Sequence, residues 1–582
     1  MNWKKKAVLY ANIGTVSLMK NTWSIFALCF ALLAGFILFK ESPRWMEALA
    51  SIGGKKLPAQ PESHWLTEHE FQETEDIEEK LRRLLALRNQ LRVPWALADE
   101  AILRFSSLEA MNAFLRNSGK LSVLGSNPSL KAVRVGFDNY QDLLDDSGNA
   151  QVAPNYLVQL PPPPDPESPG IQAGAVGFGA SALDWLGVPR DHSEWGSGTK
   201  VAVIDTGVQT HSTFGDTSIS EIDVLANATV EDGGDGTVTI HGHGTAVASI
   251  ISGQDSVAPG VAPAAEVISV RVANEEGLSD SFTLAEGIMA AADARADVIN
   301  ISMGSAGNSS IVSDAVVYAQ DKGSLLIAAA GNNGVDSLAY PAGYEGVISV
   351  GSVDAEGQHL AFSNAGDQLN LSAPGLEVNA AWPDEQVIQF SGTSASTPFV
   401  AGSVAAIMSL DPDLSSQQAY NLLVDYSNEA GAPGHDAYYG SGTLNVDRVI
   451  NRDQPGIYDL AVASHYEAGQ IDNNGLEVIQ VVVENRGTET INTSQLNLDW
   501  GYGNRDFILP SLDPGEVIYR QQPIDSRRAD IDGSIQYTSN LTMPVNLTDQ
   551  NTANNGYQSV YVSPAARAAA EQAAAETAAT AP

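Results

Sequence analysis

One cysteine in 582 residues, Cys29, excludes any disulfide within the chain, so stability has to come from buried apolar surface. Lysine is scarce too: beyond residue 131 only Lys200 and Lys322 remain. The net charge of −39 is unevenly spread, because residues 1–60 hold eight Lys/Arg against two Glu. A surface this acidic and lysine-poor repels phosphate backbones, which argues against nucleic acid as a partner. It suits a saline setting and an ordinary exported protein equally. Long apolar runs are missing except for residues 23–39, preceded by Lys4, Lys5, Lys6 and Lys20. That run is short for a spanning helix and long for the core of a signal peptide. No small-x-small cleavage site follows it directly. It therefore reads as an uncleaved transmembrane signal anchor, with a cleaved signal peptide as the alternative. Basic residues flank it about equally, so charge does not choose its orientation. A chain this long exceeds one core, and three or more folded units are expected.

What the sequence does carry is chemistry. Asp205 in VAVIDTGV, His243 in HGHGTAVAS and Ser394 in SGTSASTP follow one another along the chain. A serine hydroxyl is too weakly acidic to attack a peptide carbonyl unless an imidazole takes its proton and a carboxylate holds that imidazole in the right tautomer. Residues 201–204 read as a buried parallel strand that delivers Asp205 at its carboxyl end, where open α/β sheets bind ligands. His243 opens an apolar helix over 243–251. Ser394 opens another over 394–410, with Gly392 and Gly402 allowing close approach, so the hydroxyl sits where helix amides favour developing negative charge. Residues 325–330 form an apolar run broken by Gly331-Asn332-Asn333-Gly334, and the Asn332 amide on such a turn can donate to an oxyanion. Each motif alone also fits a turn residue, a packed histidine or a helix cap; the four together fit acyl transfer. His241 and His243 could be read as a metal pair, but no cysteine and no further histidine motif stands nearby.

Residues of about 180 to 450 resemble the subtilisin family of serine proteases. The matching pieces are DTG at Asp205, HGT at His243, SMG at Ser302, AAGN at Ala329 to Asn332, and GTS with Pro398 around Ser394. The resemblance implies an α/β fold, a three-layer α/β/α domain with a mostly parallel sheet, and endopeptidase activity on protein or peptide substrates through a covalent acyl-enzyme. It also implies a pocket for the residue before the scissile bond (P1), walled by Ser302, Met303, Gly304, Ala329, Ala330 and Gly331 and floored near Ala339. None of these carries a carboxylate, so large apolar residues are expected there in preference to Lys or Arg. Two positions depart from the family pattern: Ala395 replaces the methionine common after the nucleophile, and Ser396 replaces alanine. The loop 253–261 offers Asp255 as its only carboxylate, too little for a tight calcium site. No cofactor is implied; calcium stays open, with no site to assign.

The other units flank this domain. Residues 1–22 would be cytoplasmic and 23–39 the anchor, leaving the catalytic domain outside the cytoplasm, periplasmic or at the cell surface, or secreted if the anchor is cut. Residues 40–96 read as a stalk containing an amphipathic helix, 70–91, with Ile77, Leu81, Leu84 and Leu85 on one face. Residues 97–160 read as strand 101–105, helix 107–116, strand 130–137, helix 140–145 and strand 156–159. Standing just before a subtilisin-like domain, this small α+β unit resembles the family's propeptide, an intramolecular inhibitor and chaperone. Its tail, Val158-Gln159-Leu160, runs into Pro161 to Pro164, and proline on the leaving side makes a cut at Leu160-Pro161 poor. The Pro/Gly linker 161–180 would supply the cut. The catalytic domain spans 181–453. Residues 456–563 carry six strand-like runs, 459–464, 476–484, 494–500, 517–523, 534–538 and 558–562, and resemble the bacterial cell-adhesion-related (CARDB) β-sandwich. The tail 564–582 is alanine-rich. The competing function is a non-catalytic extracytoplasmic adhesion or binding protein.

Overall fold

The computed structural model describes residues 68–161, 175–225, 242–532, 534–563 and 566. The expected anchor, His241, linker residues 162–174 and nearly all of the alanine-rich tail lie outside them. Residues 79–582 form one compact unit. Of residues 1–78, only the start of a helix is described.

That helix is α1, Glu68–Leu91. The face expected to be apolar packs only in part, with Leu84 half-buried. Leu81 and Leu85 are 49% and 48% exposed, whereas Leu87 and Leu91 are buried. The last turns of α1 therefore belong to the core of the next unit rather than to a free stalk. That unit contains β1 (Ala96–Arg104), α2 (Leu108–Arg116), β2 (Ser122–Asn127), β3 (Ala132–Gly136), α3 (Tyr140–Asp146) and β4 (Gln151–Gln159). Ser107 caps α2 by accepting the Ala110 N–H at 3.2 Å. Strand β2, Ser-Val-Leu-Gly-Ser-Asn, has too little apolar alternation and a glycine, so periodicity missed it. The antiparallel order β2-β3-β1-β4 packs Leu103, Val133 and Val135 against Met111, Phe114 and Leu143.

The central domain is built on a seven-stranded sheet in the order β12-β11-β10-β9-β5-β7-β6, with every pairing parallel. Its strands are β5 (Lys200–Asp205), β6 (Ile219–Asp223), β7 (Glu266–Arg271), β9 (Val298–Ile301), β10 (Leu325–Ala329), β11 (Val347–Val353) and β12 (Leu371–Pro374). The short β8 (Leu278–Asp280) lies outside this sheet. Period-2 alternation sends Val201 and Val203 of β5 into one core and Ala202 and Ile204 into another. The first core is covered by α4 (His243–Ser252), α7 (Thr393–Leu410) and α8 (Ser416–Asp425); the second by α5 (Ser281–Asp293) and α6 (Ser310–Asp321). Helices on both faces make three layers. From β5 the chain lays down the edge strand β6, fills the gap with β7, then returns to add β9 to β12 on the other side. The strand order therefore reverses beside the carboxyl end of β5, where such sheets bind ligands. Among the described residues α7 is long and apolar enough to cross a membrane, but 83% of it is buried within the fold. It is a core helix. A hairpin, β13 (Val378–Trp382) and β14 (Gln386–Phe390), leads into it.

Residues 175–180, expected to be flexible linker, are instead fixed to this domain. Phe178 is buried, and the Phe178 and Gly179 amides donate to Leu376 and Glu377 at 2.9 and 2.8 Å. After residue 453 two antiparallel sheets pack face to face. One is β15-β16-β19 (Leu460–Ile471, Glu477–Asn485, Val517–Ile524). The other is β18-β17-β20-β21 (Asn504–Ile508, Gln495–Asp499, Ile535–Thr542, Gly556–Tyr561). The edge strand β18, Asn-Arg-Asp-Phe-Ile, is too polar to have been legible. The sandwich meets the central domain through a buried ion cluster, in which Glu484 accepts from both Arg448 and Arg486 and from the Glu429 amide.

Candidate active site

Three element ends converge at the carboxyl edge of the parallel sheet. Asp205 closes β5 and is fully buried; its carboxylate takes the Thr206 N–H at 2.7 Å. His243 opens α4, and its Nδ1 donates to Asp205 at 2.9 Å (Oδ1) and 2.8 Å (Oδ2). That bond assigns the proton to Nδ1 and leaves Nε2 as the basic nitrogen. The helix can start this close to β5 because residue 244 is glycine: a Cβ there would lie 2.3 Å from the Gly207 carbonyl oxygen. Phe390, at the end of β14, meets the imidazole edge to face, with centroids 5.1 Å apart and planes at 82°.

Ser394 is the second residue of α7, so its amide has no carbonyl behind it. Its hydroxyl donates to the Ser302 carbonyl at 3.1 Å, and the Ser302 hydroxyl donates to the Ser394 carbonyl at 3.3 Å. The latter carbonyl is available because Pro398, four residues on, has no N–H to give it. Asn332 is held by its oxygen: Oδ1 accepts the Thr393 N–H at 2.9 Å and the Thr393 hydroxyl at 2.8 Å. The amide nitrogen is thereby turned outward as a donor. It lies where a Cβ on Gly392 would come within 2.6 Å, and Gly392 has φ +124°, so only glycine fits.

Bordered by Gly331 and Asn333, the neighbours of Asn332 in the chain, is a cavity of about 570 Å³. Met303, Gly304, Ala329, Gly331 and Ala339 line it. Ser302 and Ala330 do not: both side chains are fully buried, and they contribute backbone, the Ser302 carbonyl to Ser394 and the Ala330 carbonyl to the Ala339 N–H at 2.9 Å. Alternation along each strand turns their side chains away from the cavity.

The chain's own segment runs through this cleft. Leu157, Val158 and Gln159 of β4 pair antiparallel with Asp280, Ser279 and Leu278. On the other side Gln159 and Gly304 exchange two hydrogen bonds of 3.0 Å, and the Leu160 amide donates to Gly277 at 2.9 Å. Pro161 then borders the cavity. Behind the strand, Arg134 is 3% exposed; it forks onto Glu100 at 2.7 and 2.9 Å and reaches Asp280 at 2.9 Å. Asp280 caps α5 through the Phe282 and Thr283 amides. Asn155 adds a bond from its Nδ2 to Glu100 and accepts the Phe282 amide.

The Subtilase family model matches residues 196–442. Subtilisin BL of Lederbergia lenta is 35% identical over 279 residues, which is 47% of this chain and 98% of that protein. Thermitase of Thermoactinomyces vulgaris is 33% identical over 257 residues, 44% of this chain and 89% of its own. The chain belongs to the subtilase family. As a subtilase it is a serine endopeptidase, a hydrolase of peptide bonds, and the adhesion-only reading falls away. Among the described residues no group of three His, Cys, Asp or Glu is placed to hold a metal ion. Sequence motifs had missed three contributors to this subtilase site. Thr393 anchors Asn332, and its signal was its place just before Ser394. Phe390 and Asn364, which also borders the cavity, had no local signal at all.

Proposed function

We propose that Ser394 is the nucleophile, His243 its general base and then general acid, and Asp205 the group that orients and stabilises the imidazolium. The Ser394 amide and Asn332 Nδ2 would hold the oxyanion. In the sequence of steps, Ser394 Oγ bonds to the substrate carbonyl carbon and passes its proton to His243 Nε2. The leaving amine takes that proton, and water then hydrolyses the acyl-enzyme with His243 as base. The hydroxyl has to turn from the Ser302 carbonyl to do this, an adjustment common when a site holds no substrate.

The chain would be made as a zymogen. The observation that carries this reading is the β4 strand hydrogen-bonded between Leu278–Asp280 and Gly304 in the manner of a substrate, ending beside the cavity. Pro161 follows with no N–H to anchor, so the cut would fall downstream, in the linker. The P1 pocket would take Phe, Tyr, Leu or Met over Lys and Arg. No carboxylate is among the residues bordering it, and burial of a large apolar side chain is worth roughly 1.5–3 kcal/mol. The segment 23–39 would tether the enzyme to a membrane with its catalytic domain outside the cytoplasm.

A fluorescent organophosphonate tests the centre of this reading. Linker-cleaved enzyme should be labelled at Ser394, the intact precursor much more slowly, and Ser394→Ala not at all. Label on another serine, or equal labelling of precursor and cleaved enzyme, would count against it.

A further inference from the structure

Among the polar residues bordering the cavity, one stands directly behind Gly331. Asn364, on the loop between β11 and β12, is 2% exposed and borders the cavity. Chemistry fixes which end of its amide faces where. Oδ1 accepts the Asn333 N–H at 2.9 Å and the Val335 N–H at 3.4 Å, and both are donors only. Its own backbone N–H donates to the Gly331 carbonyl at 2.9 Å. Nδ2 is therefore turned towards the wall: a Cβ placed on Gly331 would lie 2.4 Å from Nδ2 and 3.3 Å from the Ala339 methyl. Among the described residues no acceptor takes that nitrogen. Around it in the cavity wall stand Gly331, Ala329 and Ala339, so the donor borders a space large enough for a side chain. A donor on a pocket wall gains a direct partner when a bound side chain supplies an oxygen, and leaving it without one once the pocket is filled is costly.

We infer that Asn364 determines specificity at the base of this pocket, its Nδ2 donating to an oxygen acceptor at the far end of the P1 side chain, as Gln offers, or Tyr through its phenol oxygen. This rests on reading the cavity as the P1 pocket. It narrows the substrate class from large and apolar to large with an acceptor at the tip.

The test uses full-length enzyme after linker cleavage and peptides matched except at P1, in the pairs Phe and Tyr, Leu and Gln, and Met and Met sulfone, whose added oxygens only accept. A net neutral hydrogen bond corresponds to about two- to twelvefold in relative kcat/KM. Wild type should favour Tyr over Phe and the sulfone over Met within that range, with Gln close to Leu despite its greater polarity. Asn364→Asp keeps the Oδ1 acceptor for Asn333 and Val335 but replaces the donor. The sulfone-to-Met ratio should then drop at least tenfold and Lys should become a substrate. An unchanged ratio in Asn364→Asp, with Met peptide still cleaved, overturns the inference. Ala339→Leu, which narrows the same space, separates the two readings. If it leaves the Phe-to-Ala preference at P1 untouched, the pocket assignment fails. If it lowers that preference while Asn364→Asp changes nothing, only the role of Asn364 fails.

Discussion

Release of the N-terminal unit should depend on pH through Glu286. This residue lies on α5, under the sheet of that unit. The groups facing it are Asp280 at the start of its own helix, Arg134 on β3, Glu100 on β1 beyond Arg134, and the Asn127 amide of β2. Burial, reinforced by the Asp280 charge, pushes its carboxyl up from the ordinary 4.5 to about 7, against the opposing effects of Asn127 and Arg134. Once the unit departs, the carboxyl returns to water and its affinity for the proton falls. The complex therefore holds a proton that the separated parts do not. The resulting stabilisation of the complex is complete below the ordinary carboxylate value and is lost as pH rises through about 7. The full displacement from 4.5 to about 7 would be about 300-fold in the dissociation constant. Because the side chain keeps some contact with solvent, ten- to a hundredfold is the expected span. A Ser394→Ala chain opened in its linker by an added protease gives two fragments whose dissociation constant can be followed by calorimetry from pH 5 to 9. Glu286→Gln mimics the protonated state and should bind tightly with a flat profile. If it keeps the parent's slope, or if the parent binds more tightly as pH rises, the reasoning is refuted.

Asn332→Ala should lower kcat on the order of a hundredfold or more with little change in KM, since the donor acts on charge present mainly in the transition state; an unchanged kcat would remove it from the oxyanion role. Ser394→Ala should leave the precursor full length on gels, and normal maturation of the purified variant would show that cleavage is not its own. Arg448→Ala should leave Glu484 buried with Arg486 as its remaining ion partner, costing about 3–5 kcal/mol in the urea denaturation of the central domain and sandwich. A denaturation midpoint equal to wild type would mean that the cluster does not join the two.

Much of this protein is legible in sequence for a physical reason. The motifs of the proposed site are short segments whose backbone needs are local: a strand delivering Asp205 ahead of Thr-Gly, a glycine beside His243, a glycine before the helix that carries Ser394. Such needs leave fixed residues at fixed spacing, and Asp205, His243, Asn332 and Ser394 could be picked out one motif at a time. Continuous, largely apolar stretches such as 201–204 and 394–410 were legible likewise, because burial on both faces leaves a largely unbroken apolar run. Tertiary structure decided whatever depends on a distant partner. It turned Ser302 and Ala330 into backbone contributors rather than pocket walls. It moved the packed face of α1 from Leu81 and Leu85 to Leu87 and Leu91, and fastened residues 175–180 to the domain they were expected to swing beside. It brought Phe390 to His243, Thr393 to Asn332 and Asn364 to Gly331 across 147, 61 and 33 residues of chain. Short polar strands such as β2 and β18 stayed hidden because their hydrogen-bond partners stabilise them more than their own side chains do. Side-chain direction and the neighbour across a cleft are properties of the packed chain, and no local pattern records them.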